Sequence, residues 1–461
     1  MNRSIIVWFR QDLRLSDNPA LYEAAQQPDK KIIPLYILDD ENAGAWKMGG
    51  ASRVWLHHSL TALNESLNGK LIIKKGDAKK VLSDLIKNEN IDAVYWNRCY
   101  EPWRIKRDEN IKQNLGVECK SFNGSLLWEP WKIKNQQGGP YKVFTPFYRK
   151  GCLNAPAPRE PISKPSQLNL QESVQSDGID SLELLPKINW HQNMTSHWTI
   201  GEKGAQGKLG AFLAHGLNDY KEGRNFPAKN NVSQLSPYLH FGEISPHQVW
   251  YAADIQGKEQ RLEKDLGHFH SELGWREFSN SLLYHFPSLP TEPFQEKFAD
   301  FPWTEDDASL EKWRKGETGY PIVDAAMREL WETGYMHNRC RMVVGSFLVK
   351  NMLLHWHEGE KWFWDTLVDA DLANNSASWQ WIAGCGADAA PYFRIFNPVL
   401  QSKRFDPDGD YIRKWVPELK DVPDKHIHEP WEHDIKGYPK PILDHGESRD
   451  RALAAYEKIK G

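Results

Sequence analysis

The first 125 residues limit the choice of fold more than any other part of the chain. Apolar runs "IIVWF", "KIIPLYIL", "LIIKK", "IDAVYW" and "ECKSF" alternate with segments of helical spacing such as "ASRVWLHHSLTALNESL" and "AKKVLSDLIKN". Strand and helix in that order specify a parallel sheet with helices on both faces. A dinucleotide-binding sheet would follow its first strand with G-x-G-x-x-G, because glycines let the backbone approach a pyrophosphate. Here the first strand runs into "RQDLRLSDNPAL", which has arginines and aspartates and no glycine. The sheet comes without the nucleotide fingerprint.

The pattern then changes twice. From about 153 to 200 the chain is rich in Pro, Ser, Asn and Gln ("NAPAPREPISKPSQLNLQESVQS"), which reads as a long surface connection. Beyond 205 the strand patterns stop, and segments with i, i+3, i+4 apolar spacing follow, among them "VDAAMRELWETG" and "RCRMVVGSFLVKNMLLHWH". A chain of 461 residues exceeds what one core fills. The expected organisation is therefore an α/β domain over 1–130, a linker over 131–203 and an all-helical domain over 204–461. A formal net charge of −4 is close to neutral, so a polyanion would have to be held by a local basic patch. The five cysteines are scattered and form no C-x-x-C pair, which fits a reducing compartment without a disulfide frame or thiolate zinc site. "IIVWF" is too short for a signal-peptide core, and no run approaches the roughly 18 apolar residues of a membrane span, so a cytoplasmic protein is expected. "HFH" at 268–270 and "HIHEPWEH" at 426–433 lack H-E-x-x-H spacing, and no metal site is expected. The 21 tryptophans ask for a role beyond core filling.

Four blocks, "IIVWFRQDLRLSDNPAL", "GETGYPIVDAAMRELWETGYMHNRCRM", "GEKWFWDTLVDADLANNSASWQW" and "GADAAPYFRIFNP", resemble the photolyase and cryptochrome family. The resemblance runs from the first strand to the last helices. It implies a Rossmann-like parallel-sheet antenna domain, a linker and a C-terminal all-helical domain holding one FAD. It also implies light-driven repair of ultraviolet-damaged DNA, or light sensing. By resemblance Asp369 and Asp371 contact FAD, and Asn375 sets an amide beside the flavin nitrogen that gains and loses a proton. From the residues alone, the same stretch is a helix-start signal. Tyr220 and the loop Val232, Ser233, Gln234, Leu235 and Ser236 match the family's phosphate side, with Gln234 in the place of an arginine. Hydroxyls and a helix start can hold phosphate without that arginine, although a plain turn would use the same serines. Phe269, Glu272, Arg276, Tyr335, Asn338 and Arg341 complete the cofactor set, and Phe269 and Tyr335 each replace a tryptophan.

The resemblance also assigns the tryptophans. Trp379, Trp356 and Trp303 match the proximal, middle and exposed members of a file that passes electrons to the flavin, while Trp381 lines the substrate cavity. A single such ring would ordinarily be core. Glu272, Trp275, Asn338 and Met342 match the contacts to a cyclobutane pyrimidine dimer; Asn338 and Met342, four apart, share a helix face. Enzymes for (6-4) photoproducts carry a histidine where Met342 stands, and a methionine there could also be plain core filling. Arg224, Arg339, Gln401, Lys403 and Arg404 are expected along the DNA backbone. In "RCYEPWRIKRDENI", Trp103 and Arg104 stand where folate-binding members carry Asn-Glu. An antenna pigment is still expected, methenyltetrahydrofolate favoured over 8-hydroxy-deazaflavin. The expected activity is a deoxyribodipyrimidine photolyase, acting as a monomer on a flipped-out dimer. The alternative is a cryptochrome photoreceptor, and the end of the chain at Gly461 without a long tail makes a photolyase the expectation.

Overall fold

The computed structural model describes residues 3–389, 393–433, 435 and 437–460; residues 390–392 of the "GADAAPYFRIFNP" block lie outside these. Among the described residues, β1 (Ser4–Phe9), β2 (Lys31–Leu38), β3 (Ile72–Lys75), β4 (Ile91–Asn97) and β5 (Glu118–Phe122) form one sheet in the order β3-β2-β1-β4-β5. The pairings are parallel. β1 lies at the centre and is buried along its whole length. Its Ile6 and Trp8 join Ile33, Leu35, Ile37, Val94 and Trp96 in a core closed by Ala78, Leu82 and Leu85 of one helix and Ile111 and Leu115 near another. Helix Pro19–Ala25 starts on an Asn18 cap, with Oδ1 accepting from Leu21 N at 3.1 Å and proline at the first helical position.

Pro34 inside an inner strand runs against the usual confinement of proline to edges. The register resolves this. β3 pairs with β2 only from Leu35 onward. Earlier, the linker lies alongside, with Ile32 N donating to Asn169 O at 2.7 Å and Gln171 N donating to Ile32 O at 2.8 Å. Pro34 faces the same side as Ile32, in the gap between the two partners, so its missing N–H breaks no ladder.

The chain divides into two compact units, Met1–Tyr141 with Thr145–Ala214 and Ser233–Pro287, and Lys142–Phe144 with His215–Val232 and Ser288–Gly461. This differs from the expected boundaries, since residues 233–287 group with the sheet. "RQDLRLSDNPAL" explains why. Arg14, almost fully buried, donates to the carbonyls of Asp17, Gly124 and Gly242. Gly242, at φ 68°, lies so close to the loop that a Cβ would fall 2.0 Å from Gln11 O. Trp55 packs on Tyr238 and Phe241 with ring centroids 5.2 and 6.0 Å away.

Helices make up the second unit. Its core gathers Trp313, Val323, Met327, Val344, Phe347, Trp356, Phe363, Trp379 and Ile412, all nearly or fully buried. Among the described residues this unit has no strand, and Thr304 with Leu354 forms an isolated bridge. No helix among the described residues is long and apolar enough to cross a membrane.

Candidate functional site

The residues singled out above fall on both units. In the helical unit they gather on three helices, Asn338–Ser346, Trp356–Thr366 and Leu372–Ala383. The first opens with His337 as its cap, its Nδ1 accepting from Arg339 N at 3.1 Å. Burial, and then the positive charges of Arg224, Arg339 and Arg341, push His337 down to about 3, so it is neutral near pH 7.

Arg341 donates through Nε to Met336 O at 2.8 Å and through Nη2 to Asp369 Oδ2 at 2.7 Å. Burial works against its charge, but Asp369 beside it raises the guanidinium above its ordinary value. The other carboxylate oxygen of Asp369 is buried and has no partner among the described residues. A buried acceptor left open is costly unless a ligand satisfies it. Tyr335 lies under Arg341, 5.5 Å from guanidinium carbon to ring centroid, and Tyr220 lies under Arg224 at 5.4 Å.

Asp371 caps the Leu372–Ala383 helix, its Oδ1 accepting from Asn374 N at 2.9 Å. The helix-start reading of this stretch is therefore realised whether or not a ligand is also held. Asn375 sits in the first turn, buried, and its Nδ2 donates to Glu360 O at 3.0 Å. That bond fixes the amide and leaves its oxygen as the end that can face a ligand. Glu360 itself is buried, accepts from Ser376 Oγ at 2.5 Å, and is pushed up to about 8 by burial. Open carboxylate, half-buried cation, fixed amide and tyrosine faces fit the hydroxyls and rings of FAD; Asp369, Arg341 and Asn375 would hold it.

Trp379 and Trp356 are buried, and Trp303 is half-buried. Trp379 meets Phe363 at 5.0 Å and Trp313 at 6.4 Å, both edge-on. His355 stands near both other indoles, 5.3 Å from Trp303 and 5.6 Å from Trp356. Trp381 donates from Nε1 to Asp388 O at 3.1 Å.

Asn338 is exposed and Met342 half-buried on the same helix. Arg339 lies between them, 3.7 Å from Met342 Sδ, 2.5 Å from Asn225 Oδ1 and 4.2 Å above the Phe405 ring. Burial, then the charges of Arg224 and Arg404, lower its pKa. Gln401 is half-buried on the Pro398–Phe405 helix; Lys403 is exposed and paired with Glu429, so its charge is already compensated.

In the first unit Phe269, Glu272, Trp275 and Arg276 all lie on the Glu263–His285 helix. Phe269 is buried against Phe212 at 4.7 Å, and Trp275 meets Phe278 edge-on at 5.8 Å. Arg276 donates to Ser125 O at 2.8 Å. In the 232–236 loop, Ser233 Oγ accepts from Leu235 N at 3.4 Å, which is the turn geometry open from the sequence. Lys208 Nζ lies 2.6 Å from Gln234 Oε1. A lysine thus accompanies the glutamine that replaces the family's arginine, and its place 26 residues upstream gave no spacing signal. Trp103 and Arg104 stack on each other at 4.4 Å, and Arg104 is paired with Glu101 at 2.6 Å. Among the described residues, no group of three or more His, Cys, Asp or Glu could hold a metal ion.

Comparison with known proteins gives these positions a setting. Residues 5–166 match the model described as DNA photolyase, and residues 269–458 match the FAD binding domain of DNA photolyase. The chain is 47% identical over 476 residues to a deoxyribodipyrimidine photo-lyase of Agrobacterium fabrum, covering 99% of this chain and 98% of that one. It is 36% identical to Cryptochrome-2 of Arabidopsis thaliana, covering 100% of this chain and 80% of the relative. It superimposes on the crystal structure of a bacterial class III photolyase from Agrobacterium tumefaciens with a TM-score of 0.95 and 47% identity, covering 100% of this chain and 98% of that one. Matched at both ends and along nearly its whole length, the chain belongs to the photolyase and cryptochrome family.

Proposed function

We propose that the protein is a deoxyribodipyrimidine photolyase that opens cyclobutane pyrimidine dimers in DNA under light. The observation that carries this reading is the positive cluster at the start of the Asn338–Ser346 helix. Arg224 and Arg404 press on Arg339, whose side chain meets the Asn225 amide, the Met342 thioether and the Phe405 ring, all of them neutral. Like charges held this close suit a surface that a polyanion neutralises. Asn338 and Met342 flank Arg339 on the same helix, where an amide can meet a base edge. A thioether cannot shuttle a proton near neutral pH, which suits a lesion whose reversal needs an electron only.

When bound, reduced FAD supplies the electron that light drives onto the dimer and that returns once the ring has opened. The chain's residues do the rest. Asp369 and Arg341 anchor the cofactor, and the fixed amide of Asn375 presents an acceptor that tolerates either protonation state. Trp379, Trp356 and Trp303 pass electrons inward. Glu272 recognises and Trp275 stacks on the flipped-out bases. The working form is a cytoplasmic monomer with one FAD. A folate antenna is retained in the reading, although Arg104 is already paired with Glu101 and would have to exchange that partner for a ligand. Mass spectrometry of the extracted chromophores tests the antenna: FAD alone, with folate supplied during expression, would remove it.

Illuminated assays with defined lesions test the function. Thymine-dimer reversal by the reduced protein, with negligible reversal of (6-4) products, is expected. No reversal by fully reduced, DNA-bound protein would replace this reading with the cryptochrome one.

A further inference from the structure

Gly359 lies inside the Trp356–Thr366 helix, a position where glycine is worse than alanine by about 1 kcal/mol. Its φ is not positive, so the backbone does not require glycine. The indole of Trp379 does. A Cβ on residue 359 would lie 2.0 Å from Cη2, 2.4 Å from Cζ2 and 2.4 Å from Cζ3 of Trp379, distances at which something must move. What faces it is a bulky buried ring, not the end of a flexible chain. At Gly345, by contrast, a Cβ would stand 3.6 Å from the same ring, an ordinary contact. Phe363 and Trp313 meet the indole edge-on at 5.0 and 6.4 Å, so it has little room to retreat.

Gly359 also sits one turn after Trp356. Trp356, Gly359, Glu360, Phe363 and Thr366 are the buried face of that helix, and the Leu372–Ala383 helix that carries Trp379 packs against it. The glycine therefore governs how closely the indole of Trp379 seats on the helix that bears Trp356. We propose that Gly359 is a positioning residue for electron supply: its missing side chain sets the seat of Trp379 between the flavin side and Trp356. The inference rests on the reading of Trp379 as the flavin's electron donor. Transfer between rings falls steeply with separation, and misplacing reacting groups by about 1 Å can slow a step by up to roughly a hundredfold.

The test measures photoreduction of oxidised FAD under blue light, with an external thiol reductant, in the intact FAD-loaded protein. Three variants are compared with the parent: Trp379→Phe, Gly359→Ala and the double variant. Trp379→Phe should slow photoreduction strongly; an unchanged rate there would dismiss the donor reading itself. Given that slowing, Gly359→Ala should slow photoreduction on the order of tenfold. A parental rate in Gly359→Ala would overturn the positioning role alone. Should Gly359→Ala fail to take up FAD, the double variant decides. Phenylalanine is the smaller ring, so the added methyl should be tolerated beside it. FAD uptake and melting temperature should then return to the Trp379→Phe level, and failure to recover would overturn the proposal.

Discussion

Removing the Asp369 carboxylate would leave Arg341 close to Tyr335 with Met336 O still accepting from Nε. Breaking a fully buried pair by deleting one partner costs about 3–5 kcal/mol. The Arg341 side chain keeps 27% of its exposure, so Asp369→Ala should cost less, about 2–3 kcal/mol. Its melting temperature should drop and its flavin absorbance per chain should fall, both read on the purified protein. Arg339→Ala makes the opposite trade. It loses the Asn225 and Phe405 contacts but relieves repulsion from Arg224 and Arg404, so stability should change little. DNA affinity should fall across sequences, and the slope of log affinity against log salt should shrink by about 1, as for one lost phosphate contact. A salt titration checks it; an unchanged slope would place the arginine off the DNA. At this scale the sequence singles out a residue wherever it lies inside a block that resembles the family, as Asp369, Asn375 and Met342 do. Lys208 and Asn225 were not legible, because each acquires its partner through folding: Gln234 lies 26 residues from the one and Arg339 lies 114 residues from the other.

Helix Gly50–Ser66 is tied to the segment before helix Pro246–Glu259 by one buried carboxyl. Glu243 is fully buried, accepts from Trp55 Nε1 at 3.2 Å and is pushed up to about 8 by burial, with the Trp55 bond acting the other way. The folded-state pKa lies above the ordinary carboxyl value of about 4.3, so between the two the folded chain keeps a proton that the unfolded chain has lost. Stability therefore declines as pH rises through that window and levels off above about 8. Glu243→Gln keeps an acceptor for Trp55 and cannot ionise. Denaturant titrations at several pH values should show this decline flattened by an amount on the order of 1–3 kcal/mol. A parental pH profile in the variant would mean that Glu243 does not hold its proton. The Gly50–Ser66 helix and the strands of the sheet are themselves legible, the one from helical apolar spacing and the others from unbroken apolar runs. Pro34 would have argued against an inner strand on the same reasoning. Only the register, with the linker backing Ile32 and β3 starting at Leu35, shows why it is tolerated.

Over the whole molecule, the sequence marks a composition change near 153–200 and a switch to helical periodicity after 205, which predicts a boundary at 204. Compactness divides the chain elsewhere, and the reason is carried by contacts far apart in sequence. Arg14 and Gly242 are 228 residues apart and hydrogen-bonded at 2.9 Å. Trp55 packs on Tyr238 and Phe241, and Trp128 meets Trp250 edge-on at 5.6 Å. Periodicity cannot report such pairs, because each partner satisfies its own local pattern whichever core it joins. Residues 204–461 expressed alone would expose Tyr238, Phe241 and Val249, each at most 2% exposed in the full chain, and would strip Glu243 of its Trp55 partner. Burying a large apolar side chain is worth about 1.5–3 kcal/mol, so losing even three such burials rivals the 5–15 kcal/mol by which domains are ordinarily stable. The fragment should be insoluble or bind a hydrophobic dye strongly, and should retain little FAD beside the full chain. Limited proteolysis of the intact protein should correspondingly spare the 200–236 stretch less than the Glu263–His285 helix. A soluble 204–461 fragment that melts cooperatively and carries stoichiometric flavin would show that the helices from 236 to 285 can find a second, equally stable partner.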